Sequence, residues 1–218
     1  MSGNKKISKK IRLYQRIHDF PTLTKEEIFE CLSTAPSLYR HLTNGQKNDR
    51  DIVLFVVRKQ SYVIFHLPEA YRNDVEVFEE SMKYHNDSSV IQYMGKNIHD
   101  NEELIYKYVR QLGQNFSYVS YRIRNNVTLM LKMVKRDPSI YKHASYTLTC
   151  MPTLSKAAVI RNGLLLKYVT KTLRYKFDII LTAIKNTELA LCHCPSIETG
   201  WVYDILKYAN TYEKTIKL

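Results

Sequence analysis

The chain has 218 residues, 44% hydrophobic and 25% charged, with 33 Lys/Arg against 21 Asp/Glu for a net charge of +12. That length supports a core without metal or crosslinks; no apolar run reaches the roughly 18 residues of a membrane span, and six Gly and six Pro exclude collagen-like and glycine-rich designs. Four scattered cysteines, Cys31, Cys150, Cys192 and Cys194, and no apolar secretion signal at the N-terminus lead us to expect an intracellular protein, cytoplasmic or nuclear, or inside a host cell if viral or bacterial.

In chain order, residues 1–20 come first, with Lys5, Lys6, Lys9, Lys10, Arg12 and Arg16 around an apolar face of Ile7, Ile11, Tyr14 and Ile17. They read as a basic segment or capping helix. Thereafter an apolar residue closes a helix-like cluster at Leu32, Val57, Met82, Val109, Val134, Val159 and Ile184, in steps of 25, 25, 27, 25, 25 and 25 residues. A constant period in the twenties marks stacked repeats, each too small to bury its own apolar face. Four and five positions before this column stand pairs such as Ile52/Val53, Val77/Phe78, Leu104/Ile105 and Ile179/Ile180. With the residue one position before, they make a helical stripe. Four positions after it come Pro36, Ser61, Asn86, Gly113, Pro138, Gly163 and Glu188, and six of these seven are turn formers that predict a stop.

A second helical stripe follows at seven, ten and fourteen positions past the column, as in Ile64, Leu67 and Tyr71 or Leu166, Val169 and Leu173. The third unit is two residues longer, which predicts an insertion or a bulged turn between its helices. Thr24 with Glu27 spells a capping box, and Asp49, Asp74, Asp100 and Asn126 stand where their oxygens accept orphan helix amides. The expected fold is therefore all-α: an α-solenoid of about seven stacked helical hairpins with a period of about 25 residues, spanning 21–197. Residues 198–218, with Trp201, Ile205, Tyr208 and Tyr212 on one face, are expected to form a C-terminal capping helix.

The sixth unit runs Ala157-Ala158-Val159-Ile160-Arg161-Asn162-Gly163-Leu164-Leu165-Leu166-Lys167-Tyr168-Val169 and ends Leu173-Arg174; Tyr71-Arg72-Asn73-Asp74 and Ile123-Arg124-Asn125-Asn126 repeat that ending. This spelling resembles a short helical-hairpin repeat of unknown function, the domain-of-unknown-function 4116 type seen in amoebae, giant viruses and amoeba-associated bacteria. The resemblance spans roughly 48–197 and is clearest at 153–187. It implies no catalytic residue.

Charge is uneven: net +5 over 1–20, −5 over 21–104 and +12 over 105–218. Such polarity points to an anionic partner for the C-terminal half, or to head-to-tail self-association. Directly after the apolar column stand Arg58, Lys83, Arg110, Lys135 and Lys185. They form a candidate positive ridge, although each also offsets the dipole at its helix C-terminus. Arg72, Arg124 and Arg174 end alternate second helices, where they grip an anion or pair with acids such as Asp74 and Asp178. Lys142, Lys167 and Lys171 lie on second helices beside Tyr118 and Tyr168, a mixture that suits bases and phosphates.

Cys192-His193-Cys194 lacks the second pair a structural zinc site needs. No phosphate loop, zinc-protease motif or nucleophile elbow occurs, so neither cofactor nor catalysis is expected. The expected function is a non-catalytic protein–protein interaction scaffold whose partner presents an acidic surface. The alternative is an RNA- or DNA-binding repeat protein using the basic half.

Overall fold

The computed structural model describes residues 17–194 together with Lys207. The basic segment to residue 16 and the expected capping helix at 198–218 therefore fall outside the described residues, Lys207 aside. Among the described residues the chain is helical throughout, and no helix is long and apolar enough to cross a membrane. Two compact units divide it, residues 1–101 and 102–218.

Seven long helices carry the apolar column. In the first unit they are α1 (Lys25–Thr34), α2 (Arg50–Lys59) and α3 (Val75–His85). The second unit has α4 (Glu102–Leu112), α5 (Val127–Arg136), α6 (Pro152–Arg161) and α7 (Phe177–Asn186). Every column residue from Leu32 to Ile184 is at most 5% exposed, which is what the constant spacing demanded. Neighbours in sequence pack on one another: α1 on α2 and α2 on α3 in one unit, α4 on α5, α5 on α6 and α6 on α7 in the other.

The starts follow their capping signals. Thr24 Oγ1 accepts from the Glu27 N–H at 3.3 Å while Glu27 Oε2 accepts from the Thr24 N–H at 2.9 Å. Asp49, Asp74 and Asn126 accept from the first-turn amides of α2, α3 and α5. Removing such a cap costs about 1 kcal/mol.

The second helix of each hairpin is not continuous, contrary to the expectation. After each long helix the chain makes a six-residue 3-10 segment: Pro36–His41, Ser61–His66 and Ser88–Tyr93, then Gly113–Tyr118, Pro138–His143, Gly163–Tyr168 and Glu188–His193. One extended residue follows, for example Leu67 at φ −70°, ψ 147° or Val119 at φ −62°, ψ 144°. A single α turn then closes most of the hairpins: Asn44–Lys47, Glu69–Arg72, Lys96–His99, Tyr121–Arg124 and Tyr146–Thr149.

The break has a local cause. The residue after the extended one is Thr43, Pro68, Gly95, Ser120, Ser145 or Thr170. Thr43, Ser120 and Ser145 accept from the amide three residues on and so restart the helix as N-caps. Pro68 instead forces the residue before it out of the helical region. The stripes at seven and ten positions stay buried across the break, as in Ile64, Leu67, Phe116, Val119, Leu166 and Val169.

The two extra residues of the third unit sit at the end of α3. That helix runs on to His85, and Asn86 takes a left-handed conformation at φ 49°. Asp87 then restarts the 3-10 segment by accepting from the Ser89 N–H at 3.0 Å, as Asp137 does for Ser139 at 2.9 Å.

Candidate interaction surface

The ends of the 3-10 segments share a pattern that the long-helix column did not reveal. All seven finish on an aromatic ring: His41, His66, Tyr93, Tyr118, His143, Tyr168 and His193. The column was hidden because the insertion in the third unit moves Tyr93 two places and because histidine and tyrosine share only their aromatic, hydrogen-bonding character. In the first unit Pro36–His41 packs on Ser61–His66, and that segment on Ser88–Tyr93. There Phe65 meets Tyr93 edge-on at 5.3 Å between ring centres. In the second unit Gly113–Tyr118, Pro138–His143, Gly163–Tyr168 and Glu188–His193 pack side by side in that order.

Cations precede the ring in the two middle segments of the second unit. Lys142 is half-buried; Lys167 is exposed, with its Nζ 4.9 Å from the centre of the Tyr168 ring. Tyr118 is 43% and Tyr168 41% exposed. His143 is turned inward, its ring centre 6.3 Å from that of Phe116. Burial, and then the nearby Lys142 and Arg124 charges, push its imidazole down to about 4, so it is neutral at pH 7. Next along each hairpin, Tyr121 and Tyr146 stand 60% and 79% exposed, and Lys171 is exposed. Glu103 and Asp178 bracket 74 residues that hold fourteen Lys/Arg and one carboxylate, Asp137. That carboxylate is already engaged by the Ser139 amide.

The candidate ridge along the long helices divides between the units. In the first, Arg58 Nε is paired with Glu80 on the next helix, and Lys83 Nζ lies 3.8 Å from the other oxygen of the same carboxylate. In the second, Arg110 Nε donates to the Arg136 carbonyl at 3.4 Å, while Lys135 and Lys185 are exposed near the ends of α5 and α7. At the corresponding place on α6 stands Ile160, 55% exposed. No unbroken positive line joins these residues.

The expected pairing of Arg72, Arg124 and Arg174 with Asp74 and Asp178 does not form. Asp74 pairs with Arg50 at 2.6 Å and Asp178 with Lys156 at 3.3 Å. Arg124 instead donates to two backbone carbonyls, Val119 at 2.9 Å and His143 at 3.2 Å. Carbonyls of the extended residue and the next 3-10 segment are the nearer acceptors, so Arg124 ties one hairpin to its neighbour. Arg72 Nε and Arg174 Nε are buried without a hydrogen-bond partner.

Of the other chemistry-bearing residues, Cys192 is exposed and the Cys194 thiol, raised by burial, lies 3.8 Å from the Ala190 carbonyl. Among the described residues no three His, Cys, Asp or Glu side chains converge as a metal site. An open depression of about 460 Å³ between α4 and α5 is lined by Glu102, Glu103, Tyr106, Leu129 and Lys132. Glu102 is paired there with Arg122, and Arg136 covers the Tyr106 ring at 5.0 Å.

No curated protein and no solved structure matches the chain. Residues 101–149, rather than the stretch at 153–187 where the repeat spelling is clearest, match the family model described as Domain of unknown function (DUF4116).

Proposed function

We propose that the chain is a non-catalytic protein–protein interaction scaffold, an α-solenoid of about seven hairpins whose second unit recognises a partner with an acidic surface. The observation that carries this reading is the charge left unbalanced in that unit. Its residues 102–194 hold fifteen Lys/Arg and five Asp/Glu, net +10, against nine and thirteen, net −4, in residues 17–101. Four of the nine cations of the first unit, Lys25, Arg50, Arg58 and Lys83, are paired with its own carboxylates, at Asp49, Asp74 and Glu80 among others. In the second unit Lys142, Lys167 and Lys171 meet no comparable acid, which leaves them for a partner. Opposite potentials of this kind raise the encounter rate and reject like-charged surfaces.

Nucleic acid is the second reading, and it rests on Tyr121 and Tyr146, whose rings are open beside this basic surface. Crosslinking in nuclease-treated native lysate, read out by mass spectrometry, tests the pair. Crosslinks that map to Lys142, Lys167 and Lys171, with the same protein partners no longer co-purifying with the triple glutamate variant, support the protein reading. Partners that vanish with nuclease treatment, and binding that weakens by orders of magnitude between about 50 and 200 mM salt, replace it with the nucleic-acid one.

A further inference from the structure

We infer that the row of 3-10 segment ends in the second unit is a docking track for an extended, acidic, proline-rich protein segment carrying Asp or Glu at every third residue. This rests on the protein-binding reading above and names the partner's chemistry.

Three observations converge on that ligand. First, Lys142 and Lys167 occupy the same position in consecutive packed segments, each followed by its ring, His143 or Tyr168. Helical elements in contact lie about 8–10 Å apart, which sets the two equivalent cations, Lys142 and Lys167, at about that interval, while Ser117 and Cys192 hold the same position in the outer segments. A polyproline II segment advances ~3.1 Å per residue with three residues per turn. Every third side chain therefore falls on one face at intervals of about 9 Å, in step with the repeats. An acid at each third position meets successive lysines without strain, and a helix or a random coil does not keep that phase.

Second, the track has aromatic walls: Tyr118 and Tyr168 are each about two-fifths exposed, the depth at which a ring still offers an edge to a proline. Aromatic-lined grooves take up polyproline II segments because the ligand is pre-ordered and loses little entropy on binding. Third, the region has few acids of its own: Asp137 is the single carboxylate from residue 104 to residue 177, and Glu188 opens the last segment.

Stacked bases fit this column less well. Lys167 already covers the Tyr168 ring, and the His143 ring lies inward toward Phe116. A base would have to displace the chain's own cation to reach a ring face, whereas a carboxylate meets that cation where it stands.

The test is fluorescence anisotropy on the full chain at about 0.1 M salt, with three labelled probes of matched length. These are a peptide of repeating Glu-Pro-Pro, its isomer with the glutamates gathered at one end, and a single-stranded oligouridylate. The periodic peptide is expected to bind about tenfold tighter than its isomer, and the difference to vanish in K142E/K167E. Tyr168→Phe keeps the ring and retains binding, while Tyr168→Ala loses several-fold; circular dichroism of each variant confirms folding. Equal affinity for the two peptides overturns the track even if protein partners are still crosslinked, which leaves the broader reading intact. Tighter binding of the oligouridylate than of either peptide overturns both.

Discussion

Consecutive hairpins in both units are joined by side chains that reach backbone carbonyls, as Gln46 reaches Phe20 and Tyr71 reaches Asn48 in residues 17–101, but ion pairs between long helices are more frequent there than among the described residues of 102–194. Lys25 holds Asp49 and Asp51, Arg50 holds Asp74 and Glu76, and Arg58 holds Glu80, each reaching from one long helix to the start or body of the next. In the second unit Asn186 donates to the Ile160 carbonyl at 3.0 Å and accepts from the Gly163 N–H at 2.8 Å. Arg136 reaches the Tyr106 carbonyl, and Arg124 reaches His143. Ion pairs remain there at Arg122–Glu102 and Lys156–Asp178. The lesson concerns charge as well as stability. A unit that fastens itself with carbonyls needs no acids to do so, and its surplus cations face outward. Exposed ion pairs are screened by water and salt and contribute little each, so their main effect in the first unit is to neutralise cations that would otherwise face solvent.

The largest expected effect is at the closest backbone approach. A Cβ built at Gly163 stands 2.3 Å from the Ala183 carbonyl oxygen and 2.9 Å from Thr187 Cγ2, and backbone on α7 cannot retreat cheaply. Gly163→Ala is expected to cost about 2–3 kcal/mol in urea unfolding. At Gly95 the obstruction is the Asn73 side chain, 2.2 Å away, which can swing aside but then gives up its bond to the Asn97 amide. Gly95→Ala should cost about 1 kcal/mol. Equal losses at the two glycines would erase the distinction between backbone and side-chain contacts.

Next comes a pair of equivalent tyrosines. Tyr141 donates to the Thr149 carbonyl or shares a bond with Ser155 Oγ at 2.8 Å, inside the second unit. Tyr39 donates to the Lys47 carbonyl at 2.9 Å in the first. Tyr141→Phe takes a partner from both the Thr149 carbonyl and buried Ser155, which keeps only its own 3.3 Å bond to that carbonyl, and is expected to cost about 1–2 kcal/mol; Tyr39→Phe, which leaves one carbonyl, should cost about 1 kcal/mol. A larger loss at Tyr39 would count against the network at Ser155.

Smaller again is Asp74→Asn, which keeps a capping oxygen and removes only the charge facing Arg50. Because Arg50 is half exposed, the expected loss is below about 1 kcal/mol, and it should shrink as salt is added. Burial alone would raise the Asp74 carboxyl; the Arg50 hydrogen bond and the Val77 amide hold it below its ordinary value. Its contribution is therefore complete above the unfolded carboxylate pKa of 3.8 and is lost as pH falls through the lower folded value.

Histidine titration sets a separate window. Burial lowers His143 to about 4 from 6.5. The unfolded chain then takes up its proton first, and stability falls as pH drops from 6.5 toward 4. His41 and His66 are shifted in the same direction, by burial first. Urea unfolding of His143→Phe should show a shallower loss between pH 7 and pH 5 than the parent chain, with His41 and His66 supplying the remainder. An unchanged slope would place the titration in the first unit alone.

Long helices, their caps and the buried column were legible because each depends on residues within about one helical turn of one another, as Thr24 with Glu27 or Ile52 with Val56 do. The candidate basic residues were legible as charges but not as partners. Arg58 gave no sign in sequence that Glu80 on the next helix would claim it, and Arg124 gave none that carbonyls would prevail over acids. The broken second helix lay between these cases. Its breakers at Thr43, Pro68, Ser120 and Ser145 stand in plain view, but they fall inside an apolar stripe whose spacing also satisfies a continuous helix.

By itself, then, the sequence determined the all-α class, the places where long helices start and stop, and the residues that go inside, since local capping and apolar period are properties of contiguous chain. Only the tertiary structure decided which cations are neutralised and how neighbouring hairpins are fastened. It also decided that rings from His41 to His193 end successive 3-10 segments, packed side by side within each unit. Those outcomes depend on groups some 20–30 residues apart, such as Gly163 with Asn186 or Arg50 with Asp74, and no pattern within a single turn specifies which of them will meet.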